Sequence, residues 1–136
     1  MMPFVLDNSV VSGWLLNNQA TAYTAAIAKR LHHDRAVAPA LLQLEYANVL
    51  RTACTRGRMN AQQAQEAIEQ LVALPVEIDR EPPEAGQVLA LALRHDLTSY
   101  DAAYLDLALR RQWPLATQDE ALAQAARIAG VGVVSA

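Results

Sequence analysis

Cysteine occurs once in the 136 residues, at Cys54, so neither a disulfide framework nor an all-cysteine zinc site can be built from this chain. Aromatic residues are only 5% of the total, and Lys29 is the only lysine among 11 cationic side chains. No apolar run reaches the roughly 18 residues of a membrane span. Met1–Leu6 also lacks the basic start of a secretory leader, so a soluble cytoplasmic protein without a membrane role is expected. Positive charge is in short supply: 14 acids give a net charge of −3, which at first sight argues against a nucleic-acid binder. What the chain does have is apolar substance. At 53% hydrophobic it is not disordered, and its length suits one domain, residues 1–136, with a core that needs no staples.

Short apolar runs alternate with amphipathic stretches. Phe4-Val5-Leu6, Ala36–Pro39, Val76–Ile78, Leu115–Thr117 and Val131–Val134 read as five buried strands. Between them, helices are predicted from Asn8 or Ser9 through Leu15, from Thr21 to His33, from Ala40 to Arg56 and from Asn60 to Ala73. Further helices are predicted from Pro82-Pro83 to His95, from Thr98 or Ser99 to Gln112, and from Asp119 to Gly130. Gly13 falls inside the first of these, at a cost of about 1 kcal/mol relative to alanine. Short strands alternating with amphipathic helices predict a parallel sheet covered on both faces, a three-layer α/β/α domain. Ligands of such sheets bind beyond the carboxyl ends of the strands.

Four acids fall at that edge. Asp7 closes the first strand, and Asp119 lies two residues past Thr117. Glu45 and Asp101 sit in the first halves of otherwise apolar helices, where an unpaired carboxylate is expensive to bury. Any one of them could be a cap, a turn residue or half of an ion pair. Together, with one lysine to neutralise them, they repel one another unless a cation intervenes, and Mg²⁺ or Mn²⁺ prefers such oxygen ligands.

The stretches that carry these acids are Phe4-Val5-Leu6-Asp7-Asn8-Ser9-Val10-Val11, Leu44-Glu45-Tyr46-Ala47-Asn48-Val49-Leu50-Arg51, Leu97-Thr98-Ser99-Tyr100-Asp101-Ala102-Ala103-Tyr104-Leu105 and Pro114-Leu115-Ala116-Thr117-Gln118-Asp119-Glu120-Ala121-Leu122. In this order, over essentially the whole chain, they resemble the PIN domain, and specifically the VapC-type toxin ribonucleases of prokaryotic toxin–antitoxin pairs. The resemblance implies a five-stranded parallel sheet with a centre binding one or two Mg²⁺ or Mn²⁺ ions through Asp7, Glu45, Asp101 and Asp119, supported by Ser9, Asn48 and Thr117. It further implies RNA hydrolysis to 5′-phosphate and 3′-hydroxyl ends, a protein antitoxin and a homodimer. Two positions depart from the pattern: Asn8 where relatives often carry Ala or Thr, and Gly13 where they often carry Lys before the tryptophan. The second departure is expected to remove a cation near the site mouth.

Other acids read differently. Asp106 lies about 140° round the helix from Asp101 and is expected as an exposed partner of Arg110, while Glu120 could assist as a helix-start charge. Asp96 reads as a turn residue, and Glu66 and Glu69 as a solvated face. His32, His33 and His95 show no ligand spacing, and Trp14 and Tyr104 read as core or interface. Arg51, Arg56, Arg58, Arg110 and Arg111 are candidate phosphate contacts. Rival α/β functions lack their signatures. A dehalogenase-type phosphatase needs Asp where Ser9 stands, a receiver domain needs a late lysine, and a dinucleotide fold needs a glycine-rich turn. A degenerate PIN domain acting as a non-catalytic binding module, and a PIN nuclease that is not a toxin, are the remaining alternatives. Setting the four acids aside leaves the rest of the chain at +1, so the acidity is local to the proposed centre.

Overall fold

The computed structural model describes residues 2–135; Met1 and Ala136 lie outside them. Strand β1 (Phe4–Leu6) leads into helix α1 (Asn8–Leu15), a 3₁₀ turn (Asn17–Gln19) and α2 (Ala22–Arg30). Then follow β2 (Ala36–Pro39), α3 (Leu41–Thr55), α4 (Ala61–Ala73), β3 (Val76–Asp79), α5 (Ala85–His95), α6 (Ser99–Arg111), β4 (Leu115–Ala116) and α7 (Glu120–Ile128). The strands are parallel, in the order β3-β2-β1-β4. Alternation along each strand divides the core. Phe4, Leu6, Ala36 and Ala38 face α1–α4, while Val5, Val37 and Leu115 face α6 and α7.

The expected fifth strand is a correction. Val131–Val134 is reduced, among the described residues, to one parallel bridge between Leu115 and Val133, so the sheet has four strands. The next ladder bond would run from the Thr117 N–H to the Val134 carbonyl, but the Tyr23 hydroxyl donates to that carbonyl at 2.7 Å. Beyond Ala116 the chain turns to deliver Thr117 to the site instead of pairing further.

Helix starts also differ in detail. The first helix is entered from Asp7 rather than capped by Asn8 or Ser9, because the Ser9 hydroxyl is spent on the Asp7 carboxylate. Pro82 and Pro83 precede α5 without joining it. Thr21 and Asn60 each make the reciprocal capping box that opens α2 and α4, and Thr98 caps α6. Gly57 and Gly130 close their helices at positive φ, as do Asp96 and Gln112.

Gly13 is not at the mouth of the site. It is buried where α1 meets α2, and a Cβ there would overlap the Thr24 side chain and press on the Gln19 carbonyl. Thr24 cannot swing away cheaply, because its hydroxyl accepts from the Thr21 N–H and donates to the Thr21 carbonyl. A lysine at this position would therefore require α2 to move. Gly13→Ala is expected to destabilise the protein by about 1–3 kcal/mol through overpacking, despite the gain of about 1 kcal/mol in helix propensity. Urea unfolding measures the balance; a stabilised variant would show that the helices are not in close contact.

Candidate active site

The strand order places the crevice. β1 is flanked by β2 and by β4, so the direction of winding reverses between β1 and β4, and the chain opens beyond their carboxyl ends. Register then sets what faces what. Leu6 pairs with Ala116, the Asp7 N–H donates to the Ala116 carbonyl at 3.1 Å, and the next residues on the two strands, Asp7 and Thr117, meet at the edge. The Thr117 and Ser9 hydroxyls both donate to Asp7 Oδ2, at 2.7 and 2.8 Å. The loop after β4 is secured in turn. The Gln118 N–H donates to Ser9 Oγ at 2.8 Å, and the Asp119 N–H to Thr117 Oγ1 at 3.0 Å.

Helix starts bring the other acids. Asp119 caps α7 by accepting from the Leu122 N–H, and Asp101 lies in the first turn of α6, its N–H bonded to Thr98. With Asp7 at the start of α1, three helix N-termini direct their positive ends at the crevice and partly offset the gathered negative charge. Glu45 approaches from α3, where the Tyr104 hydroxyl donates to its Oε1 at 2.6 Å.

The electrostatics follow from this convergence. Burial pushes the Asp7 carboxyl above the usual carboxylate range, against the hydrogen bonds from Thr117 and Ser9 that pull it down, and Asp119 adds to the rise. Burial likewise raises Glu45, with Asp7 and Asp101 adding repulsion, and raises Asp101, with Asp7 and Asp119 adding theirs. Asp7 and Asp101 thus sense Asp119, and Glu45 senses Asp7 and Asp101. Tyr104 is pushed far up by burial and by Glu45, so its hydroxyl stays protonated and remains a donor.

None of the ion pairs among the described residues involves any of the four acids. Their donor set is oxygen only, and it offers excess negative charge without a protein cation, which suits a hard divalent ion. Among the described residues no three carboxylates form a closed ligand group. Glu45 is drawn toward Tyr104 and Asp119 toward its own helix.

The sequence-predicted residues thus separate. Asp7, Ser9, Thr117 and Asp119 form one hydrogen-bonded unit, with Glu45 and Asp101 coupled to it through space. Asn48 stands outside that unit, exposed on α3 one turn past Glu45, in the wall of an adjoining groove. Asp106 does pair with Arg110, at 2.9 Å, but it is buried rather than exposed, because Arg110 and the neighbouring Arg111 also hold Asp79. Glu120 turns outward to Arg127. Tyr104 was missed as a site residue. Its signal was available, since a buried tyrosine hydroxyl needs a partner, and three positions past Asp101 on the same helix that partner is an acid.

Residues 4–128 match the description of the PIN domain. Ribonuclease VapC1 of Mycobacterium tuberculosis is 38% identical over 90 residues, which span 65% of this chain and 65% of that protein, a little under two thirds of its length. Among solved structures, PAE2754 of Pyrobaculum aerophilum superposes with a TM-score of 0.72 at 23% identity, covering 91% of this chain and 84% of that one. VapBC2 of Rickettsia felis, solved with a DNA fragment from its promoter, gives 0.69 at 12% identity and 98% coverage of both chains. FitAcB of Neisseria gonorrhoeae gives 0.66 at 20% identity, covering 98% and 97%.

The raised Asp7 carboxyl has a thermodynamic consequence. With its folded pKa above the unfolded value, the folded state holds the proton more tightly, so metal-free stability is expected to fall as pH rises from the ordinary carboxylate range through the raised one. Asp7→Asn removes that penalty and is expected to melt higher than wild type in EDTA at neutral pH, each kcal/mol being worth roughly 4 °C at this size. A variant that melts lower would show the Asp7 charge to be paired in the metal-free fold.

Proposed function

The chain belongs to the PIN-domain family, and from that premise we propose that it is a divalent-cation-dependent endoribonuclease acting as the toxin of a type II toxin–antitoxin pair. One observation supports this reading: carboxylates from four different elements gather at the switch point of the sheet, and no ion pair among the described residues neutralises them. Asp7 and Asp101 would hold the principal ion, and Glu45 and Asp119 would ligate directly or through water. When bound, Mg²⁺ or Mn²⁺ supplies neutralisation of the phosphodiester charge and acidified water for in-line hydrolysis at phosphorus.

The protein's own part is preorganisation. Ser9 and Thr117 fix the Asp7 carboxylate by holding one of its oxygens, and the Asp119 N–H holds Thr117 in turn. Tyr104 holds Glu45 in one orientation, and the three helix starts keep the acids close at a tolerable cost. The expected products carry 5′-phosphate and 3′-hydroxyl ends. The degenerate-module alternative is disfavoured because all four acids are present and hydrogen-bonded or coupled in register.

Partners are part of the same proposal. Exposed Leu44 on α3 and Val72 on α4 offer apolar surface for an antitoxin segment, and exposed Leu89, Leu93 and Tyr100 on and after α5 offer a homodimer contact. Among the described residues no helix is long and apolar enough to cross a membrane, and an RNA substrate places the activity in the cytoplasm.

Asp7→Asn and Asp101→Asn are each expected to abolish cleavage of structured RNA, with the far-UV circular dichroism of wild type retained. EDTA should silence wild type, and Mg²⁺ or Mn²⁺ should restore it. Tyr104→Phe is expected to fold and to cleave about tenfold more slowly, since it frees Glu45 from a bond to a charged group worth about 1.5–3 kcal/mol. Cleavage that persists in Asp7→Asn, or in EDTA, would overturn the assignment.

A further inference from the structure

Of the five arginines that the sequence offers as phosphate contacts, the structure occupies two. Arg110 is shared among Asp106, Asp79 and Glu81, and Arg111 holds Asp79 and lies over the Trp113 ring. Arg51, six residues past Glu45 on α3, points about 120° away from it. Arg56 and Arg58 remain. Both are exposed, neither takes part in an ion pair among the described residues, and both line a groove of about 790 Å³ with Gln19, Asn48, Thr52 and Met59.

Helix α3 leads from the acidic centre to that groove, since Asn48 in its wall lies one turn past Glu45. One wall is α3, on which Glu45, Asn48, Thr52 and Arg56 follow one another at helical spacing along one face. The other wall includes Gln19, whose carbonyl accepts from the side-chain amide of Gln118, the residue between Thr117 and Asp119. From Glu45 to Arg56 the helix rises about 16 Å, so the arginines lie beyond reach of the phosphate at the acids.

We infer that this groove carries the RNA strand away from the cleavage point, with Arg56 and Arg58 each gripping a backbone phosphate a few nucleotides from the scissile one. The inference rests on the nuclease reading above. The chemistry of the walls supports it. An acidic centre repels a polyanion, so the attraction has to come from cations set back from the site. Guanidinium groups pair with phosphate through planar, two-pronged hydrogen bonds. Between the two ends, Gln19, Asn48 and Thr52 present uncharged donors and acceptors suited to ribose and base edges, beside apolar Leu15, Leu16, Val49 and Met59 against which base faces can lie. Asn48 thereby has a place, as a wall of the track and not as a support for the acids. The arginines position the strand; they do not touch the reacting phosphorus.

The test is binding of a short fluorescein-labelled single-stranded RNA of mixed sequence, followed by anisotropy across a KCl series. It is run on Asp101→Asn, so that no substrate is consumed. Adding Arg56→Gln and Arg58→Gln is expected to weaken binding at least tenfold and to flatten the slope of log affinity against log salt by about 1.4, two phosphate contacts' worth. Lysine at both positions should restore most of the slope, and Arg94→Gln, exposed on α5, should leave it unchanged. In the otherwise wild-type enzyme, the double glutamine variant should raise KM and keep kcat within about twofold.

An unchanged affinity and slope would overturn the inference. So would an unchanged RNA slope with loss of binding to an acidic peptide, which would give the groove to a protein. A wild-type chain that binds RNA with the expected slope but never cuts it would sustain the groove and sink the nuclease reading.

Discussion

Burying the Asp7 carboxylate at the end of the innermost strand run costs free energy that an unpaired charge cannot recover alone, and the neighbourhood is arranged around that cost. The parallel register of β1 and β4 sets Thr117 beside it, and the start of α1 sets Ser9 beside it. The same demand explains why β4 is two residues long and why the expected fifth strand shrinks to a bridge. Thr117 and Asp119 are needed at the site, so the backbone that carries them cannot stay in a ladder. Three helix N-termini then reduce the repulsion among the acids without neutralising it, and the proposed divalent ion answers the charge that remains.

Much of this was legible in the residues. Phe4-Val5-Leu6 running into Asp7, and Leu115-Ala116-Thr117 running into Asp119, mark strand ends whose acids must lie at one edge if the sheet is parallel. Asn60, Thr98, Gly57 and Gly130 mark helix limits by capping chemistry alone, and the structure places the limits there. The acids on α3 and α6 stood out because carboxylates rarely occupy apolar stripes unless something binds them.

What was not legible depends on contacts across the chain. Nothing local distinguishes Ser9 as a cap from Ser9 as a ligand of Asp7; the choice is made by Thr117, 108 residues away. Gly13 looked like a lost cation, and only the approach of Thr24 shows it to be a packing requirement. Asp106 looked exposed on helical periodicity, but it is buried where Arg110 reaches across to Asp79 at the end of β3. The arginines show the same limit: sequence offers five equivalent candidates, tertiary pairing occupies Arg110 and Arg111, and only Arg56 and Arg58 line the groove along α3.

The charge balance now has a spatial meaning. Four acids gather at one edge of the sheet, while Arg56 and Arg58, in no ion pair among the described residues, line a groove farther along α3. Manganese binding tests the central claim most directly, because it asks about the acids without requiring the right RNA. Electron paramagnetic resonance of Mn²⁺ titrated into the metal-free protein should show bound ion in wild type and a loss of at least tenfold in affinity in Asp7→Asn. Equal loading of the two proteins would contradict the account, since the ion would then be held somewhere other than the carboxylate on which the fold converges.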